Sequence, residues 1–163
     1  MLKRQAWEKN WLLQHQWTTA EIESLENKND ETPVEYLTGE ASFSDLVLKV
    51  NNKTLIPRLE TEKLVELIIS YLKEKKIPQE KELKILEIGT GSGAIAIALG
   101  RKLNNLEQKF KILATDVSQP ALVIAKENLT EYQLTRQIEL RQADLLEQLE
   151  FTPEILIANL PYV

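Results

Sequence analysis

The chain has 163 residues, 43% of them hydrophobic, with a formal net charge of −5, no cysteine and a single histidine, His15. That length suits one domain, with or without a small appendage. The acidic balance argues against a general electrostatic grip on nucleic acid, and the lack of cysteine excludes a disulfide framework and a thiol nucleophile. Zinc sites built from Cys and His are nearly excluded, and a Ser–His nucleophile would depend on His15, which lies in a segment of helical pattern and reads as a surface histidine.

The opening MLKRQAWEKNWLL is interrupted by charge, so it is not a signal peptide, and no apolar run reaches membrane-spanning length. A soluble cytoplasmic protein without a bound metal is expected. Leu2 to Gln14 places Leu2, Ala6, Trp7, Trp11, Leu12 and Leu13 at helical spacing, with both tryptophans read as core. Thr18 and Glu21 form a capping box for a second short helix carrying Ile22 and Leu25, which the polar run KNDETP closes. A boundary is expected there, with a partial helical domain over 1–32.

From Leu46 the period changes to two. Leu46, Leu48 and Val50 alternate, Asn51-Asn52 offers a turn, and Thr54 to Pro57 is expected to return as the second strand of a hairpin within a linker, 33–60. Thr61 is expected to cap a helix bearing Leu64, Val65, Ile68 and Leu72, followed by a solvated charge run from Lys73 to Glu82. Strands are then predicted over Leu83–Ile88, Phe110–Thr115, Ile138–Arg141 and Glu154–Ala158, with helices over Gly93–Leu103 and Gln119–Thr130. Alternation of near-continuous apolar strands with helices predicts an α/β fold, a doubly wound parallel sheet occupying 61–163.

The chemistry gathers at the strand ends. Glu87, Gly89, Thr90, Gly91 and Gly93 belong to an E-x-G-x-G-x-G turn between strand and helix, one residue shorter than a dinucleotide fingerprint. Such a turn lets a ligand touch the backbone and faces it with free helix N–H groups. Asp116 ends the next strand, at ribose distance in a doubly wound sheet, although it or Ser118 could instead cap the following helix. Asp144 stands further along the same edge, as a candidate for the adenine side or as a plain helix cap. Asn159-Leu160-Pro161-Tyr162 follows the last strand. The Asn159 amide oxygen and the Leu160 carbonyl could hold a planar NH₂ group by its two hydrogens, with Tyr162 packed against it. Nothing there is a strong base, so the chemistry should rest on positioning.

These motifs together resemble the class I S-adenosylmethionine-dependent methyltransferases whose (N/D)-P-P-Y motif serves a planar nitrogen. PVEYLTGEASF (33–43) and TLIPRLETE (54–62) narrow the resemblance to the release factor glutamine methyltransferase family, from about Trp7 onward. It implies a Rossmann-like sheet and S-adenosyl-L-methionine as cofactor. The partners it implies are peptide chain release factors, methylated on the glutamine of their GGQ loop, with neither membrane nor direct nucleic-acid binding. Glu87, Gly89, Thr90, Gly91 and Gly93 would hold the methionine part of the cofactor, Asp116 the ribose and Asp144 the adenine side, with Asn159 also touching the cofactor. Asn159, Pro161 and Tyr162 would be catalytic and, with Leu160, would bind the substrate amide. Pro57 and Arg58 would wall the site.

Leu160 and Leu59 stand where the family has proline, so the tip loses the fixed φ that proline imposes. The family pattern also includes a fuller helical domain and further strands, so the chain is expected to be a fragment ending just past its substrate-binding tip, and a poor enzyme by itself. The open alternatives are a methyltransferase for a ribosomal-protein glutamine or an adenine N6, and a non-catalytic cofactor-binding module.

Overall fold

The computed structural model describes residues 3–147 and 151–160. The expected helix start at Leu2 and the candidate site residues Pro161 and Tyr162 lie outside the described residues. The chain forms two compact units divided after Glu40.

The first unit contains α1 (Ala6–Gln14), α2 (Thr19–Asn27) and α3 (Val34–Thr38). Leu12, Ile22 and Val34 are buried together, with Trp11, Trp17, Leu25 and Leu37 packed against them. Thr18 and Glu21 make the expected capping box at α2. Two expectations fail in this unit. Trp7 is 56% exposed, because the helix turns Leu12 rather than Trp7 into the core. His15 is not a free surface group: its Nδ1 contacts the Trp11 carbonyl at 2.8 Å and its Nε2 lies 3.0 Å from Glu40.

The second unit opens with a hairpin, β1 (Glu40–Phe43) and β2 (Leu46–Lys49), so the expected register is wrong by one strand. Ala41 and Phe43 are buried at alternate positions of β1, and Phe43 joins Leu46 and Leu48 in one core. Ser44, at φ 54°, makes the tight turn that Asn51-Asn52 was expected to make. The Asn51 side chain accepts from the Lys53 N–H at 2.9 Å, and the Asn51 carbonyl accepts from the Thr54 N–H at 3.0 Å. This turn sends Leu55–Pro57 away from β2, and proline has no N–H to give a ladder. The following helix α4 (Leu59–Lys75) starts three residues earlier than expected: Arg58, not Thr61, is its N-cap residue, without a side-chain cap, and Thr61 lies inside the first turn. Val65, Ile68 and Leu72 form its buried stripe.

The rest alternates as expected: β3 (Leu83–Ile88), α5 (Ala94–Asn105), β4 (Phe110–Asp116), α6 (Gln119–Glu131), β5 (Ile138–Gln142) and β6 (Ile155–Ala158). The sheet order is β5-β4-β3-β6, and every pairing is parallel. Leu83 and Ile85 point to the face covered by α5, where Ile97, Leu99 and Leu103 join them. Leu86 and Ile88 point to the other face, with Leu113 and Phe151. This two-sided burial is why β3 and β4 read as continuous apolar runs. Because β4 and β6 flank β3 on opposite sides, the strand order reverses at β3. A cleft opens at such a switch point, beyond the carboxyl ends of the strands.

Candidate active site

The turn after β3 is held from several directions. Gly89 has φ +73°, a conformation that favours glycine, and a Cβ there would come within 2.7 Å of Leu160 Cδ2, so the leucine side chain would have to shift. Gly93 has φ +83° and is the N-cap of α5; a Cβ there would come within 3.2 Å of Ile97 Cδ1. The Thr90 N–H donates to the Thr115 carbonyl at 2.9 Å, and the Gly93 N–H to the Thr90 carbonyl at 2.9 Å. A Cβ on Gly91 would meet nothing within 4 Å, so that part of the turn faces open space.

Glu87 lies beneath the turn and is 1% exposed. Its Oε2 accepts from the Thr90 hydroxyl at 2.8 Å, and the backbone of Ala96, in the first turn of α5, also bonds it. Burial pushes its carboxyl up to about 8, Asp116 adds to the rise, and the Thr90 and Ala96 bonds oppose it. An empty cleft at neutral pH therefore holds a largely protonated Glu87. A cation beside it would draw the proton off, because an opposite charge within a few ångströms favours the carboxylate.

Asp116, at the end of β4, is not the cap of α6. Ser118 is, through its hydroxyl and the Ala121 N–H at 3.3 Å. Asp116 instead accepts from the Gly91 N–H at 2.8 Å and the Ser118 N–H at 2.9 Å, tying the glycine turn to the start of α6. Each carboxylate oxygen retains acceptor capacity for a hydroxyl of a ligand. Asp144 sits in a turn, its carbonyl accepting from the Glu147 N–H at 3.0 Å, and no helix begins there among the described residues.

Asn159 follows β6 at the switch point. Its Nδ2 donates to the Thr61 hydroxyl at 3.1 Å, and the residue borders the cleft. Thr61, read from sequence as a helix cap, therefore orients Asn159. Contact between residues 98 positions apart leaves no local signal in the sequence.

The cleft has two adjoining cavities, both bordered by Leu55, Gly89, Gly91 and Asn159. The smaller, about 60 Å³, is walled by Pro57, Arg58, Glu87, Thr90 and Ser92, and the larger, about 260 Å³, by Asp116, Val117, Asp144 and Leu160. Together they reach the lower end of small-molecule site volumes, roughly 300 Å³. The buried Ser92 hydroxyl has no partner among the described residues. The sequence-predicted residues Glu87, Gly89, Thr90, Gly91, Asp116, Asp144, Asn159 and Leu160 all border the cleft, while Gly93 stands behind it as the start of α5. Leu55 borders both cavities and was missed, because it was read as a residue of a returning strand.

A parallel sheet with a glycine turn after its central strand, an acidic end on the next and an Asn tip at the switch point is the class I methyltransferase fold. Residues 61–163 match the methyltransferase small domain family, and the chain belongs to that family. A release factor glutamine methyltransferase of Lactococcus lactis is 41% identical over 131 residues, covering 80% of this chain and 44% of that protein. One of Flavobacterium psychrophilum is 44% identical over 151 residues, covering 91% of this chain and 48% of that protein. The chain thus spans about half the length of the curated relatives it matches. Among solved structures, the N-terminal domain of human METTL16 in complex with SAH aligns with a TM-score of 0.55 at 21% identity, covering 71% of this chain and 46% of that one. Human methyltransferase 10 domain containing protein aligns at 0.53 and 23% identity, covering 71% and 54%. These likenesses concern the fold.

Proposed function

We propose that this chain serves S-adenosylmethionine-dependent methylation of the side-chain amide nitrogen of the glutamine in the GGQ loop of peptide chain release factors. The observation that carries this reading is Asn159: its Nδ2 donates to Thr61, which fixes the side chain, and it borders the cleft together with Gly89 and Gly91 of the glycine turn. An amide acceptor at that point suits a planar NH₂ group, and the relatives named above carry the name of this activity. In this reading the turn from Gly89 to Gly93, with Thr90, holds the amino-acid end of the cofactor, and buried Glu87 faces its ammonium. Asp116 accepts the ribose hydroxyls, and Asp144 lies on the adenine side. Oδ1 of Asn159 and the carbonyl of Leu160 take the two amide hydrogens, with Pro161 and Tyr162 completing the grip. When bound, the cofactor supplies an electrophilic methyl on a sulfonium. The chain contributes orientation and exclusion of water, which can carry much of a transfer rate when the reacting atoms are aligned.

A single-turnover experiment tests this. With the chain in excess over an unmethylated release factor, mass spectrometry should find one methyl, on the GGQ glutamine, and Asn159→Ala should remove it. Methyl incorporation elsewhere, or none on that glutamine, would overturn the reading.

A further inference from the structure

Helix α6 does more than cover the sheet. Strand β2 pairs with β1 on one side, and the backbone groups of alternate residues along its other edge need partners. Side chains of α6 and of its C-cap residue, Tyr132, supply them. The Tyr132 hydroxyl, one turn after Asn128, donates to the Val47 carbonyl at 2.7 Å and accepts from the Val47 N–H at 3.0 Å. Two residues along, Asn128 Oδ1 accepts from the Lys49 N–H at 2.8 Å and its Nδ2 donates to the Lys49 carbonyl at 3.0 Å. Asn128 and Tyr132 thus act on β2 as a neighbouring strand would.

Asn128 differs from Tyr132 in one respect. It is fully buried, and its Nδ2 also donates to the Ser92 carbonyl at 2.8 Å. The Ser92 carbonyl and the Gly93 N–H belong to one planar peptide and point in opposite directions. The carbonyl end is held by Asn128 and the N–H end by the Thr90 carbonyl at 2.9 Å. Two residues earlier, Asp116 holds the Gly91 N–H. The last peptide of the glycine turn is therefore clamped, and one of its clamps is a side chain that also grips the hairpin.

We propose that Asn128 is a positioning residue for the cofactor, fixing the glycine turn in its ligand-ready shape and joining it to the edge of β2 in a single hydrogen-bonded unit. The inference rests on the cleft being an S-adenosylmethionine site, with the turn on the amino-acid end of the ligand. Residue spacing gives no sign of it, since an asparagine inside a helix reads as a solvated polar residue.

Calorimetric titration with two ligands tests the proposal: S-adenosylhomocysteine, and 5′-methylthioadenosine, which lacks the amino-acid end. Asn128→Ala should weaken S-adenosylhomocysteine about tenfold, the scale of one buried hydrogen bond, and 5′-methylthioadenosine by less than about twofold. Tyr132→Phe, which loses hairpin bonds but not the turn bond, should alter neither by more than about twofold. Equal weakening of both ligands by Asn128→Ala, unchanged affinity, or the same pattern from Tyr132→Phe would overturn the proposal. If Asn128→Ala fails to fold, hydrogen exchange on the unaltered chain decides. S-adenosylhomocysteine should then slow the Lys49 amide more than the Val47 amide, and equal slowing would refute the link. If the unaltered chain binds neither ligand, the reading of the cleft fails, and this inference fails with it.

Discussion

Glu87→Gln should make the ligand-free chain more stable at pH 8 and, at the same pH, a much poorer binder of S-adenosylmethionine. Glu87 is buried, and its carboxyl titrates near 8 instead of the ordinary 4.5. Between those values the folded chain keeps a proton that the unfolded chain has released. Stability from this group is therefore fully present below pH 4.5 and is lost as the pH rises towards 8. The loss is on the order of a few kcal/mol once the pH passes the folded value. Glutamine keeps the shape and an acceptor for the Thr90 hydroxyl, but it cannot ionise. Urea unfolding of the variant should accordingly depend less on pH between 5 and 8, roughly the span of the two titrations. A cationic ligand reverses the preference, because the buried carboxylate then has a charge to face. Removing it should weaken cofactor binding by about a hundredfold or more, as expected for a charge-assisted contact away from water. A variant with an unchanged pH profile would show that Glu87 is ionised in the empty chain. Unchanged affinity would place the ligand's ammonium elsewhere.

Asp116→Ala should weaken the cofactor about a hundredfold and loosen the glycine turn together. The carboxylate accepts from Gly91 and Ser118, and in the proposed complex from the ribose as well. Bonds to a charged acceptor contribute about 1.5–3 kcal/mol each, so the loss of two ribose bonds predicts at least that factor before any loosening of the turn. Calorimetry gives the affinity, and amide exchange at Gly91 reports the turn. An affinity equal to that of the unaltered chain would move the ribose site away from β4.

Much of this frame was legible because its signals are local. The apolar runs of β3 and β4 and the helix between them follow from burial on both faces, and the glycines at 89, 91 and 93 mark a backbone that needs positive φ. Asp116 and Asn159 could be assigned to one edge because parallel strands end together. What escaped depended on contacts distant in sequence. The hairpin escapes a local reading because Asn51-Asn52 and Ser44-Asp45 are comparable turn signals, and only burial of Ala41 and Phe43 decides between them. Thr61 reads as a cap because nothing near it in the chain points to Asn159. Trp7 was placed inside on helical spacing, but a nine-residue helix with one fully buried leucine leaves much of its surface to solvent.

The central claim is that the cleft between the glycine turn, Asp116 and Asn159 is an S-adenosylmethionine site and not a dinucleotide site. Isothermal titration of the unaltered chain with S-adenosylhomocysteine and, separately, with NAD tests it directly. One S-adenosylhomocysteine should bind saturably per chain, with no heat from NAD. Saturable NAD binding with no response to S-adenosylhomocysteine would contradict it.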